Sequence, residues 1–236
     1  MEKMSLLQFC DVEYVYPDGK QALSEINFSL ARGEKLAVVG ANGAGKSTLL
    51  LLSCGIITPT RGYVKFKQEN LAAKNRQRFR GATGILFQDP DDQLFCPSVQ
   101  EDVSFGPLNL GIKGEELAER VRESLAKVGL SGFERRIPHH LSVGERKRVA
   151  LATVLAMRPE VLLLDEPTGN LDPRGRRELA ELLYNMPGTV LLATHDLELA
   201  QTICSKVLIL SQGKVVASGY AKEILSDEGL LFRCGL

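Results

Sequence analysis

The chain has 236 residues, 29 Lys+Arg balanced by 29 Asp+Glu, and 44% hydrophobic residues. Zero net charge argues against a global basic field for nucleic acid and against a polybasic run for lipid headgroups. No apolar run approaches the roughly 18–20 residues of a membrane-spanning helix, and the length suits one α/β domain with an inserted lobe.

The first residues, Met1-Glu2-Lys3-Met4, lead directly into a strand-like alternation and contain no signal-peptide core. Leu6 to Val15 reads as a partly exposed strand. Pro17-Asp18-Gly19 is turn chemistry and Ala22 to Leu30 a returning strand, so an N-terminal antiparallel hairpin is expected. Tyr16, at the hairpin tip, either stacks on a purine or packs within the hairpin.

Beyond Arg32-Gly33-Glu34, the apolar run Leu36-Ala37-Val38-Val39 feeds Gly40-Ala41-Asn42-Gly43-Ala44-Gly45-Lys46-Ser47-Thr48, and Leu49 to Leu52 follows. This order is strand, glycine loop, helix, and the spacing of Gly40, Gly45, Lys46 and Ser47 is that of a phosphate loop. Glycines let successive backbone N–H groups turn toward phosphate oxygens, and the following helix presents its positive end to the same anion. Lys46 suits the β- and γ-phosphates of a nucleoside triphosphate, and the Ser47 hydroxyl suits Mg²⁺.

Thr58 to Gly62 is a turn before the short strand Tyr63 to Phe66. Residues 67–81 are polar and basic surface, and Gly84-Ile85-Leu86-Phe87-Gln88 reads as a buried strand with Gln88 at its end. The stretch 89–138 changes character. Asp89-Pro90-Asp91-Asp92 and Gly106-Pro107 read as breaks, and one helix carries Leu117, Val121, Leu125 and Val128 on one face with Gly129 as its cap. Ser142 and Glu145 stand at capping-box spacing and open a helix that runs to Met157. Arg146, Lys147 and Arg148 crowd its first turn, where the helix dipole disfavours cations. Either an anion sits there or this is a solvated basic face.

Val161 to Leu164 is a buried-strand run ending in Asp165-Glu166, and Thr189 to Thr194 is another ending in His195. Val207 to Leu210 and Lys214 to Ala217 form a closing hairpin, and a short helical segment follows Ala221. The paired His139-His140 reads as a loop pair rather than a metal site. Cys10, Cys54, Cys96, Cys204 and Cys234 are odd in number and widely spaced, which predicts reduced thiols without a disulfide frame.

Parallel strands would bring Gln88, Asp165, Glu166 and His195 to one sheet edge, beside the glycine loop. Asp165 can then hold Mg²⁺ through its water shell, and Glu166 can orient the attacking water as general base. His195 either contacts the γ-phosphate or makes a strand-end hydrogen bond.

Together these features resemble the ATP-binding cassette (ABC) ATPases over essentially the whole chain. Gly40 to Thr48 is similar to the Walker A loop and Gln88 to the Q-loop glutamine. Leu141 to Glu145 is similar to the signature, Leu162 to Glu166 to Walker B with its glutamate, Asp172 to the D-loop aspartate and His195 to the switch histidine. Tyr16 matches the adenine-stacking aromatic. Val143 and Glu145 depart from the Gly and Gln usual in the signature, whereas Ser142 and Gly144 are retained. The segments Phe87 to Phe95 and Val99 to Pro107 resemble the cobalt, nickel and energy-coupling-factor importer ATPases.

The resemblance implies a P-loop α/β core over residues 1–88 and 160–236 with a largely parallel mixed sheet, an N-terminal antiparallel β subdomain and a helical lobe at about 89–159. It implies Mg²⁺ with ATP, with Ser47, Gln88 and Asp165 as metal residues, and Lys46, Glu166 and His195 as catalytic residues. It also implies a head-to-tail homodimer or heterodimer with a related ATPase. There, each ATP lies between one Walker A loop and the other chain's Ser142, Val143, Gly144 and Glu145. The remaining partner is an integral membrane transport subunit, and the chain itself is peripheral on the cytoplasmic face of the cell membrane. Soluble cassette ATPases of DNA repair or translation need a long coiled-coil insertion or a tandem cassette, for which this length leaves no room. Glu166 and His195 together argue for hydrolysis over ATP binding alone.

Overall fold

The computed structural model describes residues 5–236, so the reading of residues 1–4 lies outside the described residues. β1 (Ser5–Val15) and β2 (Gln21–Ala31) form the expected hairpin, and β3 (Lys35–Val39), α1 (Lys46–Ser53) and β4 (Arg61–Phe66) follow. Next come β5 (Glu69–Asn70), α2 (Arg76–Ala82) and β6 (Thr83–Leu86), then the lobe helices α3 (Val99–Asn109), α4 (Gly114–Lys127) and α5 (Val143–Ala156). β7 (Val161–Asp165), α6 (Pro173–Asn185), β8 (Thr189–Thr194) and α7 (Leu197–Ile203) return to the core. The chain closes with β9 (Lys206–Ser211), β10 (Lys214–Tyr220), α8 (Ala221–Ile224) and α9 (Glu228–Arg233).

The strands make two sheets. A four-stranded antiparallel sheet has the order β2-β1-β4-β5, and a six-stranded sheet has the order β10-β9-β3-β8-β7-β6. In the larger sheet β9, β3, β8, β7 and β6 run parallel, and β10 is antiparallel at one edge. Alternate side chains of its buried strands enter two separate cores, because successive residues face opposite sides of a sheet. Ala37, Val39, Leu162, Leu164 and Leu192 join the core under α5, α6 and α7. Val38, Leu163, Leu191 and Leu208 meet Leu49, Leu50 and Leu52 of α1 and the inner face of the antiparallel sheet. This two-sided burial is why the central strands read as unbroken apolar runs.

The three lobe helices pack on one another, and α5 also packs on β6. Lobe residues Val103, Leu125 and Val149 share one continuous core with Leu86, Leu164 and Val190 of the sheet. At that junction Gly84 lies so close to α5 that a Cβ would stand 2.3 Å from Val154 Cγ1.

Three local expectations need correction. Gly106 and Pro107 do not break the chain; both lie inside α3, so the stretch before Pro138 holds two helices rather than one. Proline punctuation is overridden here by packing, since Gly106 abuts Met157 at a distance that leaves no space for a side chain. β6 ends at Leu86, two residues before Gln88. In β1 the buried side chains are Leu6, Leu7, Phe9 and Val12; between Phe9 and Val12 a bulge with Asp11 at φ 47° shifts the alternation by one.

Candidate nucleotide site

The loop between β3 and α1 is shaped by close approaches. Gly40 faces the Leu210 carbonyl, where a Cβ would lie 2.2 Å from the oxygen, and Gly45 has φ 107° with the Ala22 carbonyl 2.7 Å from where its Cβ would be. Only glycine satisfies both constraints. The loop is tied to the β9–β10 turn by a hydrogen bond from Gly213 N to Ala44 O at 3.0 Å. Lys46 is buried, and its ammonium donates to Gly40 O at 2.6 Å and Ala41 O at 3.2 Å. Ser47, Asn42 and Gly43 are exposed at the mouth of a cleft of about 440 Å³, whose walls include Tyr16, Gln88, Asp165 and Glu166. Tyr16 stands edge-on to Tyr14, and its hydroxyl shares a 2.9 Å hydrogen bond with Thr48 Oγ1.

Glu166 follows β7 and is held on every side. Its N–H donates to Ala193 O at 2.9 Å, and its carbonyl accepts from Gly169 N at 3.0 Å. Its carboxylate accepts from Thr194 Oγ1 at 2.8 Å and from His195 N at 2.9 Å, contacts His195 Nδ1 at 2.8 Å, and pairs with Lys46 at 3.5 Å. The backbone at Glu166 has φ 41°, a left-handed conformation that costs a non-glycine residue about 1–3 kcal/mol. That strain is met by the surrounding hydrogen bonds, a pattern that concentrates at functional sites.

Asp165, one residue earlier, is buried, and burial pushes its carboxyl pKa up, against a hydrogen bond with Ser47 that lowers it. Its Oδ1 has no hydrogen-bond partner among the described residues. A buried carboxylate oxygen without a partner, next to a serine hydroxyl, is the donor set a hard cation takes. No group of three or more His, Cys, Asp or Glu among the described residues could hold a metal. Mg²⁺ binds through one or two protein ligands together with phosphate oxygens.

The cleft unites Tyr16, the glycine loop, Gln88, Asp165 and Glu166, and His195 joins it through Glu166. Ser142, Val143, Gly144 and Glu145 are not among its walls. They open α5 with the expected capping box: Glu145 N donates to Ser142 Oγ at 3.3 Å, and Ser142 N donates to Glu145 Oε2 at 2.8 Å. The Ser142 hydroxyl, hydrogen-bonded to Glu145, is the main influence holding that carboxyl below its usual range. Asp172 caps α6 by accepting from Gly175 N at 2.8 Å.

The three cations at the start of α5 are each engaged within the chain. Arg146 donates to Leu141 O at 2.8 Å and lies 3.1 Å from Asp91 without aligned hydrogen-bond geometry. Arg148 pairs with Glu178 at 3.6 Å, and Lys147 turns inward to the Glu166 carbonyl at 3.2 Å. The sequence reading missed Thr194 and Lys147 as neighbours of Glu166. Thr194 could have been suspected from its place at the end of β8, whereas nothing local marks Lys147 as buried. The five cysteines are free, and His139 and His140 lie exposed on a short 3₁₀ turn.

A glycine loop between a parallel strand and a helix, faced by an acidic pair at the end of a neighbouring strand, defines a P-loop nucleoside-triphosphatase. The ABC transporter family model matches residues 23–169. The chain is 48% identical to the energy-coupling factor transporter ATP-binding protein EcfA of Methanococcus maripaludis, over 95% of this chain and 82% of that protein. It is similar in fold to cbiO1 of Clostridium perfringens, described as part of the ABC transporter complex cbiONQ, with TM-score 0.86, 39% identity, and 97% and 93% of the two chains covered. A dimeric ATP-binding cassette in a post-hydrolysis state with ADP and phosphate also matches, with TM-score 0.82, 27% identity and 91% of this chain and 98% of that chain covered. The chain belongs to the ABC transporter family, as an ATP-hydrolysing transporter subunit resembling the cobalt and energy-coupling-factor branch.

Proposed function

We propose that this chain drives a membrane importer of the energy-coupling-factor type whose cargo is a transition-metal ion, such as cobalt or nickel, or a vitamin. The observation that carries the ATPase part is the convergence of Lys46, Asp165, Glu166 and His195 on one cleft, with the signature residues elsewhere on the chain. The names of the relatives, energy-coupling factor protein and cbiO1, support the cargo class.

In this reading Tyr16 stacks on adenine, and the amides of Gly40, Ala41, Asn42, Gly43, Ala44, Gly45, Lys46, Ser47 and Thr48 cradle the phosphates. The flexible stem of Lys46 lets its ammonium exchange the carbonyls of Gly40 and Ala41 for phosphate oxygens. Ser47, Gln88 and Asp165 would hold Mg²⁺, which offsets phosphate charge when bound. Glu166 takes the proton of the attacking water. With Nδ1 of His195 on the Glu166 carboxylate, Nε2 is the nitrogen left for the γ-phosphate. An imidazolium would donate to both.

Ser142, Val143, Gly144, Glu145 and the D-loop residue Asp172 act on the ATP of a second cassette, either another copy or a related ATPase. The dimeric relative with ADP and phosphate supports that arrangement. The core (residues 1–88 and 160–236) and the lobe (about 89–159) work as one domain, docked peripherally at the cytoplasmic face of the membrane. Among the described residues no helix is long and apolar enough to cross a membrane. The membrane subunit is gripped at an apolar groove between core and lobe, where Ile56, Phe87, Phe105 and Met157 line the walls and exposed Phe95 stacks edge-on with Phe105.

Co-purification of the tagged chain with its membrane partner, followed by binding assays of Co²⁺, Ni²⁺ and vitamins on the complex, tests the cargo. Saturable binding of one of them is expected. A complex that binds none, but whose ATPase is stimulated by another solute class, would contradict the cargo reading.

A further inference from the structure

Among the described residues Lys147 is the most fully buried charged side chain, at 1% exposure, on the second turn of the helix that Ser142 opens. Its ammonium donates to the Glu166 carbonyl at 3.2 Å, and Asp89, Glu166 and Asp165 are the acidic groups whose charges act on it. Gly169 lies close to the same carbonyl: a Cβ there would stand 3.2 Å from the Glu166 carbonyl oxygen, while Lys147 Nζ would be at an ordinary contact distance of 4.0 Å.

Packing alone does not explain a lysine here. Burial opposes its charged form, and an apolar side chain of similar volume would fill the same space without that desolvation penalty. What the ammonium adds is a donor to the carbonyl of a residue held at φ 41°. The Glu166 backbone is then fixed on both sides of its Cα, its N–H by β8 and its carbonyl by Gly169 N and Lys147. The direction of the Cα–Cβ bond, and with it of the carboxylate, depends on the two peptide planes that meet at that Cα.

We propose that Lys147 is a positioning residue for hydrolysis: from the signature helix it holds the Glu166 backbone so that the carboxylate points at the attacking water. The inference rests on the reading of Glu166 as general base. It also ties together two parts of one chain that serve different nucleotides, α5 facing the second cassette's ATP and Glu166 facing its own.

The test compares steady-state ATP hydrolysis, ATP-analogue binding and thermal unfolding for Lys147→Met, Lys147→Gln and Glu166→Gln, with the Glu166→Gln/Lys147→Met double variant. Lys147→Met is expected to lower kcat roughly 10- to 100-fold, as misplacement of a catalytic group does. KM and analogue affinity should stay within about twofold and Tm should not fall, because an apolar replacement of a buried charge is often neutral or stabilising. Lys147→Gln, which keeps a donor, should lose less. In the Glu166→Gln background the added Lys147→Met should cost nothing further, because both changes act through one group. Parental kcat in either folded Lys147 variant overturns the proposal, as does a loss in which Tm and analogue affinity fall together with kcat. Additive losses in the double variant overturn it as well. If Glu166→Gln itself hydrolyses ATP at the parental rate, the base reading fails, and that result is distinct from a failure at Lys147.

Discussion

Glu166 and Tyr16 illustrate how differently single residues read in the sequence and in the fold. The adjacency of Asp165 and Glu166 after an apolar run was legible, because a strand end fixes where two consecutive carboxylates go. The network around Glu166 was not, since Thr194 arrives from β8 and Lys147 from α5, both far away in sequence. Tyr16 was placed at the hairpin tip, but its partner Thr48 lies 32 residues on, and no local pattern announces such a bond. That bond sharpens a prediction. If the proposed stacking holds, Tyr16→Phe should keep most ATP affinity, because it keeps the ring, while costing about 0.5–1.5 kcal/mol of stability for the lost hydrogen bond to Thr48. Tyr16→Ala should weaken ATP clearly more than Tyr16→Phe. Isothermal calorimetry with chemical unfolding measures both, and equal affinity losses would move the role from ring to hydroxyl.

Elements divide along the same line. The cap of α5 was readable because Ser142 and Glu145 satisfy each other within one turn, and the two-sided central strands announced themselves by composition. α3 was hidden because Gly106 and Pro107 are breakers by local rule, and only contact with Met157 explains the glycine. The α5–β6 contact was equally invisible, since nothing local to Gly84 marks its close approach to α5. Its Cβ would meet Val154 Cγ1 at 2.3 Å and Pro159 Cγ at 3.0 Å, two stiff neighbours. Gly84→Ala should therefore destabilise the fold by about 1–3 kcal/mol through overpacking. In a chain of this size that lowers Tm by roughly 2–12 °C, from about 2–4 °C per kcal/mol. A thermal melt showing no change would mean that α5 can shift off the sheet without cost.

At the scale of the whole molecule, the phosphate cleft and the signature helix are held by one continuous core yet do not share a site within the chain. Asp165 and Glu166 beside the loop were legible from a strand end, whereas Gln88 reaches the cleft from two residues beyond β6, and the largely parallel mixed sheet was implied by the family resemblance. The inward turn of Lys147 depended on tertiary packing that no periodicity encodes. The account stands on a catalytic centre that a second cassette completes. Its most direct test is the mass of Glu166→Gln by size-exclusion chromatography with light scattering, with ATP and then with ADP. This substitution keeps the side chain's size but removes the proposed base; loss of a general base typically costs ~10²–10⁴ in rate, so the ATP-closed form should accumulate. The account predicts a dimer with ATP that reverts to monomer with ADP. A Glu166→Gln protein that binds ATP and remains monomeric at high concentration would contradict it.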